Sequence, residues 1–311
     1  MLSKRYSKII FSNLLKVNLL LNFNEIKYLL LCNYIYKTPN IANCIKREKG
    51  KKRKMNILIP MAGRGSRFLV EADKNPEYRK PKPIINIAGH PMVEWAISSL
   101  PIKNGDQLIF LVLKDHVEKS KIDEELRNIF GNEIKIIIVD HITDGAACTA
   151  LLAREFINNN QPLLITDSDH FIDGKTLFKD IENYEKVDGI IPVFYANNPK
   201  WSFAKTDSEG VVTETAEKIQ ISRNANIGAY YFSKGRDFVW AAEEMIDEND
   251  RTNGEFYVAP VYNYLIRRGK TIRLSRPRFV HGLGTPNDAQ KFLEFLKRGE
   301  ISHNFPNIEI I

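Results

Sequence analysis

Cysteine is scarce: three stand among 311 residues. Cys32 and Cys44 lie near the N-terminus and Cys148 lies far from both, so the body of the chain holds one thiol and no internal disulfide. That usage suits a reducing, cytoplasmic setting. No cysteine spacing matches a metal-ligand set. Long apolar runs are also missing. The leucine-rich stretches at 14–21 and 28–31 are interrupted by Asn22, Asn24, Glu25 and Lys27, short of the roughly 18–20 residues a membrane span needs. No small-residue cleavage site follows them, which argues against a signal peptide. Stable membrane insertion is therefore not expected, although a basic amphipathic helix lying on a membrane surface stays open for this segment. No Ser-His-Asp or Cys-His nucleophile set can be found, and no internal repeat.

The positive charge is confined to one end. The formal net charge is +7, yet residues 1–54 alone carry 13 Lys/Arg and 2 Asp/Glu, leaving 55–311 with a net −4. The basic balance is therefore no sign of a nucleic-acid surface. The run Lys46-Arg47-Glu48-Lys49-Gly50-Lys51-Lys52-Arg53-Lys54 precedes Met55, which opens the first strand-like segment. Residues 1–54 are expected to be an extension, disordered or not natively translated with Met55 as the start, and 55–311 to form the functional domain.

From residue 55 onward, apolar strand-like runs alternate with amphipathic segments. Strands are expected at 57–61, 108–113, 134–139, 162–166 and 189–194. Helices are expected at 91–100, 116–130, 146–158 and 175–186. That alternation predicts an α/β fold with a Rossmann-like, doubly wound, mostly parallel sheet, whose ligand site lies at the carboxyl ends of the strands. After 195 the pattern shortens to strands at 201–206, 211–214, 226–232 and 271–274, a mixed β region, with helices at 236–248, 256–267 and 287–298.

Four groups of residues carry chemistry. In the first, an apolar strand ends in Ala62-Gly63-Arg64-Gly65-Ser66-Arg67, and Lys82-Pro83 and Gly89-His90-Pro91 follow. Glycines let backbone N–H groups close on phosphate oxygens, while Arg67 and Lys82 supply positive charge. The second is Thr166-Asp167-Ser168-Asp169-His170 at the end of a buried strand, where carboxylates would meet a hard cation or simply cap the next helix. The third is Asp144-Gly145-Ala146-Ala147-Cys148-Thr149, whose small residues would let a flat base approach, or pack a helix start on the sheet. The fourth comprises Glu217-Lys218, Gly228 in 226–231, and Glu255 in 253–256. Each of these also has a plain reading: a surface ion pair, close strand packing and a first-turn helix acid, respectively.

Taken together, Gly63, Gly65, Arg67, Lys82, Pro83, Gly89 and Pro91 resemble the sugar-nucleotide pyrophosphorylase-like nucleotidyltransferases over roughly 55–297. The resemblance implies a nucleotide-diphospho-sugar transferase (GT-A-like) fold. It implies transfer of a nucleoside monophosphate from an NTP to a phosphorylated acceptor with release of pyrophosphate, in supply of cell-surface polysaccharide precursors of capsule or lipopolysaccharide. It assigns Arg67, Lys82 and Asp169 to catalysis, with Asp169 holding Mg²⁺. Ala62, Gly63, Gly65, Ser66, Gly145 and Ala146 are assigned to the nucleotide, and Glu217, Lys218, Gly228 and Glu255 to the acceptor. A hexose or heptose 1-phosphate is the expected acceptor, with phosphorylated amino acids, choline or polyols as alternatives. The partners implied are small molecules, and assembly of identical chains stays open.

Two departures from the family pattern stand out. A glutamine often found in the base element is replaced by Cys148 or Thr149, which leaves the base unassigned. A second carboxylate expected in Phe279-Val280-His281-Gly282-Leu283-Gly284-Thr285 falls on Gly282, leaving waters or a neighbour such as Asp288 or His281 to complete a metal site. The competing readings are a GT-A glycosyltransferase using Asp167-Ser168-Asp169, and a non-catalytic regulatory homologue.

Overall fold

The computed structural model describes residues 54–184 and 186–305. The expectation of an extension over 1–54 thus lies, but for Lys54, outside the described residues. The strands are β1 (Asn56–Met61), β2 (Asn86–Ile87), β3 (His90–Pro91), β4 (Gln107–Leu113), β5 (Lys135–Val139), β6 (Leu163–Thr166), β7 (His170–Ile172) and β8 (Gly189–Tyr195). They continue with β9 (Ser202–Thr206), β10 (Val212–Glu217), β11 (Asn224–Asn226), β12 (Ala229–Phe232), β13 (Ile272–Ser275) and β14 (Val280–Gly282). The helices are α1 (Ser66–Leu69), α2 (Met92–Ser98), α3 (Lys114–Ser120), α4 (Ile122–Phe130) and α5 (Ala146–Leu151). Then come α6 (Arg154–Ile157), α7 (Gly174–Asn183), α8 (Gly235–Asp247), α9 (Val261–Arg267) and α10 (Pro286–Lys297).

Strands β5-β4-β1-β6 form the parallel half of a sheet that continues as β12-β8-β11-β9-β10, with β13 parallel to β8. Strands β12, β11, β9 and β10 run antiparallel to their neighbours and make the mixed region expected after residue 195. The parallel strands are buried on both faces because their side chains alternate between two cores. Leu58, Ile109, Leu111, Leu163 and Ile165 face α5, α8 and α9. Ile57, Ile59, Phe110, Val112 and Leu164 face α2, α4 and α7. A third core surrounds Trp95, whose Nε1 donates to the Ile87 carbonyl at 2.7 Å.

The expected elements hold, with four departures that have local causes. The segment 116–130 is two helices, because Lys121 adopts φ 50° between them and Asp123, Glu124 and Glu125 form an acidic first turn for α4. The segment 146–158 breaks where Leu152 and Ala153 donate to Thr149 and Ala150, tightening the turn. The strand 226–232 is interrupted by Gly228 at φ 75°. The helix expected from 256 starts only at Val261, since the Phe256 N–H donates to Asp144 and its carbonyl accepts from Ala147.

Asp173 shows how the chain is locked behind the site. It caps α7 by accepting from the Thr176 N–H at 3.2 Å, and it accepts from Arg278 Nε at 2.8 Å. Burial would raise its pKa, but the hydrogen bonds from Arg278 and Thr176 outweigh burial and hold it down at about 2. Replacing Asp173 with Ala is expected to cost about 1–2 kcal/mol in urea unfolding. The folded value lies below the unfolded one, so this stabilisation is complete above about pH 4 and is lost as pH falls through about 2. The variant should lack that part of the acid dependence.

Candidate active site

The loop after β1 carries the first group. Gly65 has φ 63°, and a Cβ there would lie 3.2 Å from Lys82 Cβ, so a glycine lets this loop press on the lysine stem. Lys82 starts a short 3-10 turn, Lys82–Ile84, between Pro81 and Pro83. Its Nζ reaches Asp169 Oδ2 at 2.7 Å, joining the first loop to the end of β6 across 87 residues of sequence. Arg67 makes no ion pair among the described residues and lines the same cavity as Asp169.

Beyond β6 the carboxylates crowd together. His170 Nδ1 stands 3.0 Å from Asp169 Oδ1 and 3.6 Å from Asp167 Oδ2. Burial favours neutral Asp169, but Lys82 and His170 outweigh it and hold the acid well below the usual carboxylate range. Asp167 goes the other way. Desolvation and the nearby Asp169 charge push it up to about 6. Burial opposes a charged His170, yet Asp169 and Asp167 raise its pKa. Neighbouring carboxylates whose values separate in this manner are one pattern that active sites share with structural ion-pair networks.

Two cavities meet these groups. One, about 560 Å³, is lined by Ala62, Gly63, Arg64, Thr143, Gly145, Ala146 and Glu255 among others. Gly145 has φ 129°, and a side chain on it would run into the Phe256 backbone, its carbonyl oxygen first and then its nitrogen. That close approach ties the base element to segment 252–256 and carries Glu255 into this cavity. Glu255 thus lines this cavity with the residues expected to bind the nucleotide, and its charge also reaches Glu217, Lys218 and Tyr257 of the acceptor group's surroundings. Ser66 is exposed and lines neither cavity, while Gly65 acts through Lys82.

The second cavity, about 360 Å³, is lined by Arg67, Asp169, His170, Phe194, Trp201 and Asp288 among others. Glu217, Lys218 and Gly228 stand behind its wall. Glu217 accepts from the Ser202 hydroxyl next to Trp201, and burial raises its pKa. The Lys218 N–H donates to the Trp201 carbonyl at 3.0 Å, and its ammonium meets the Tyr257 hydroxyl. Gly228 packs on the Asp167 carboxylate. Gly282 is beside Asp288, as close as 3.8 Å from where a Cβ would be.

A family model described as nucleotidyl transferase matches residues 77–264, more than half of the chain. The chain belongs to the nucleotidyl transferase family. This transferase is 27% identical over 243 residues to the bifunctional protein GlmU of Methanococcus vannielii, covering 75% of this chain and 53% of GlmU. It thus spans about half the length of that relative. It is 28% identical to the nucleoside-diphosphate-sugar pyrophosphorylase of Vibrio cholerae RC9, with a TM-score of 0.66 over 76% of this chain and 99% of that one. The inositol-1-phosphate CTP transferase of T. maritima shares the fold at 13% identity, with a TM-score of 0.63 over 82% of this chain and 99% of that one. Family membership speaks against the glycosyltransferase reading of Asp167-Ser168-Asp169.

Sequence reasoning passed over several lining residues of the transferase. His170 lies inside the strand-end motif with no role assigned to it, and Trp201 lies outside all four groups. Arg64 lies inside the glycine loop with no role of its own, and Phe194 and Lys200 are isolated residues at a strand end and in a loop. Among the described residues no helix is long and apolar enough to cross a membrane.

Because Gly145 is pressed on the Phe256 backbone, Gly145→Ala is expected to destabilise by about 1–3 kcal/mol. Chemical denaturation should read that loss, and nucleotide binding by calorimetry should weaken with it.

Proposed function

We propose that this protein transfers a nucleoside monophosphate from an NTP to a phosphorylated acceptor, releasing pyrophosphate, and that the acceptor is a sugar 1-phosphate. The observation that carries this reading is the direct contact of Lys82 with Asp169, an acid that lines one cavity together with Arg67. The sugar class is supported by the V. cholerae pyrophosphorylase relative and by GlmU. Supply of precursors for capsule or lipopolysaccharide, in the cytoplasm, is part of the same proposal. So is the assignment of 55–311 as the catalytic domain.

The residues present fit a divalent cation. Glycines at 228 and 284 leave space that a Cβ would take from the carboxylates of Asp167 and Asp169. Asp169, with Asp167 beside it, would hold the ion, which supplies charge neutralisation for the triphosphate when bound. The chain's own groups do the rest. An acceptor phosphate oxygen forms a bond to the α-phosphorus as the bond from that phosphorus to the β-phosphate bridging oxygen breaks. No protein nucleophile takes part. The loop N–H groups around Gly63 and Gly65 would hold the phosphates, together with Arg67. Lys82, drawn toward the site by Asp169, would offset charge developing at the α-phosphate. Gly145 and Ala146 would leave room for the base. Glu217, Lys218 and Gly228 would shape the acceptor side, and Glu255 lies near enough to Glu217 and Lys218 to act with them.

Incubating the purified protein with each of four NTPs and a panel of phosphorylated sugars, amino acids, choline and polyols, with pyrophosphate release as readout, tests this reading. A sugar 1-phosphate is expected to give the highest rate, and absence of pyrophosphate with every pair would end the proposal. Lys82→Ala and Asp169→Ala are each expected to lower kcat about a hundredfold or more with the far-UV circular dichroism retained. Turnover above about half of normal in both would remove these two roles.

A further inference from the structure

The absence of a carboxylate at Gly282 leaves the second cation ligand of the proposed nucleotidyl transfer site unaccounted for, and the register of two short strands answers it. Strands β7 and β14 run antiparallel with Gly282 directly opposite His170. Residues opposite one another in such a pair project to the same face. The Cβ missing at 282 would have Asp288 as its nearest neighbour, at 3.8 Å, so the glycine places no carboxylate of its own opposite the imidazole. The ring nitrogen Nδ1 is buried and has no hydrogen-bond partner, although Asp169 Oδ1 is 3.0 Å away and Asp167 Oδ2 3.6 Å. One ligand atom each from Asp167, Asp169 and His170 falls within 4.8 Å of the others. Lys82 occupies the other oxygen of Asp169, Oδ2, leaving Oδ1 on the histidine side. The glycines at 228 and 284 keep both carboxylates in place, since a Cβ on either would collide with them.

We infer that His170 is itself a metal ligand, forming with Asp169 and Asp167 a mixed nitrogen–oxygen site that takes Mn²⁺ in preference to Mg²⁺. The inference rests on the nucleotidyl transfer reading for the site's purpose but on this geometry for its ligands. Mg²⁺ takes oxygen ligands and keeps several waters. Imidazole nitrogen is a regular ligand of first-row transition ions, and Mn²⁺ is the ion of that row that shares the carboxylate and water ligands of Mg²⁺. An imidazole in place of the missing carboxylate would shift the choice of ion without adding negative charge to a cluster that already holds two acids.

The test uses the full chain and Mn²⁺ alone. Titration followed by electron paramagnetic resonance of free Mn²⁺ is expected to show one bound ion per chain, displaced by Mg²⁺ only at about tenfold excess or more. Electron spin-echo modulation of the bound ion is expected to carry a directly coordinated ¹⁴N signal. His170→Asn should remove that signal and weaken Mn²⁺ binding about tenfold or more, while changing Mg²⁺ binding less than about threefold. Asp167→Asn should weaken both ions. A ¹⁴N signal absent from the unaltered protein would overturn the inference even if no variant folded, as would Mn²⁺ binding unchanged by His170→Asn. Pyrophosphate release with Mg²⁺ in that case would leave the nucleotidyl transfer reading standing. A nitrogen-ligated Mn²⁺ without pyrophosphate release under any condition would instead uphold the ligand set and remove the transfer reading.

Discussion

One buried carboxylate sets the terms for the rest of the molecule. Asp169 is removed from water at the end of an apolar strand, where an isolated charge costs several kcal/mol. Two groups stand against it, the Lys82 ammonium from a turn far away in sequence and the His170 ring from the next residue. Neither partner belongs to β6, so the charge is satisfied only when the segments on either side of the sheet edge have come together. Electrostatics here acts as a check on assembly: a chain with β1, β6 and the lysine turn misplaced would hold an uncompensated acid.

The apolar scaffold beneath explains why those segments do meet. Phe68 follows Arg67, Ile85 lies three residues past Lys82, Phe171 follows His170, and Leu283 follows Gly282. All four belong to one cluster around Trp95 that also takes in Phe292. Burying each such side chain contributes roughly 1.5–3 kcal/mol, so the cluster can hold several polar groups in place that would otherwise repel or hydrate. The aromatic rings of Phe171 and Phe292 lie 5.9 and 5.1 Å from Trp95, both near edge-to-face, the arrangement such pairs prefer. Each site residue is a short tether from a buried anchor.

How much of this could be read beforehand follows from the range of the interactions concerned. The βα alternation, the glycine loop and the strand-end acids are local signals, and they survive: β1, β4, β6 and β8 are where apolar runs predict them. The nearness of Lys82 to Asp169 followed only from resemblance, because nothing in the spacing of 87 residues encodes a contact. That Glu255 shares a cavity with Gly145 could not be read beforehand, because it depends on Gly145 meeting the Phe256 backbone, a non-local packing event. The break at Lys121 was visible in hindsight, in three consecutive acids suited to a helix start. The pairing of Gly282 with His170 was invisible, since strands of three residues carry too short an alternation to reveal their register.

Lys82 sits between two prolines, Pro81 and Pro83. Ring closure limits the backbone of each proline, and a residue ahead of proline is itself confined. The unfolded chain therefore has few conformations to give up at this point, and the entropy of ordering is small before any partner arrives. The lysine's adaptability is left almost wholly to its own methylene torsions. A charge carried on a stiff mount with a supple arm can follow a phosphate over a few ångströms as bonds change hands, while the ground it stands on stays still.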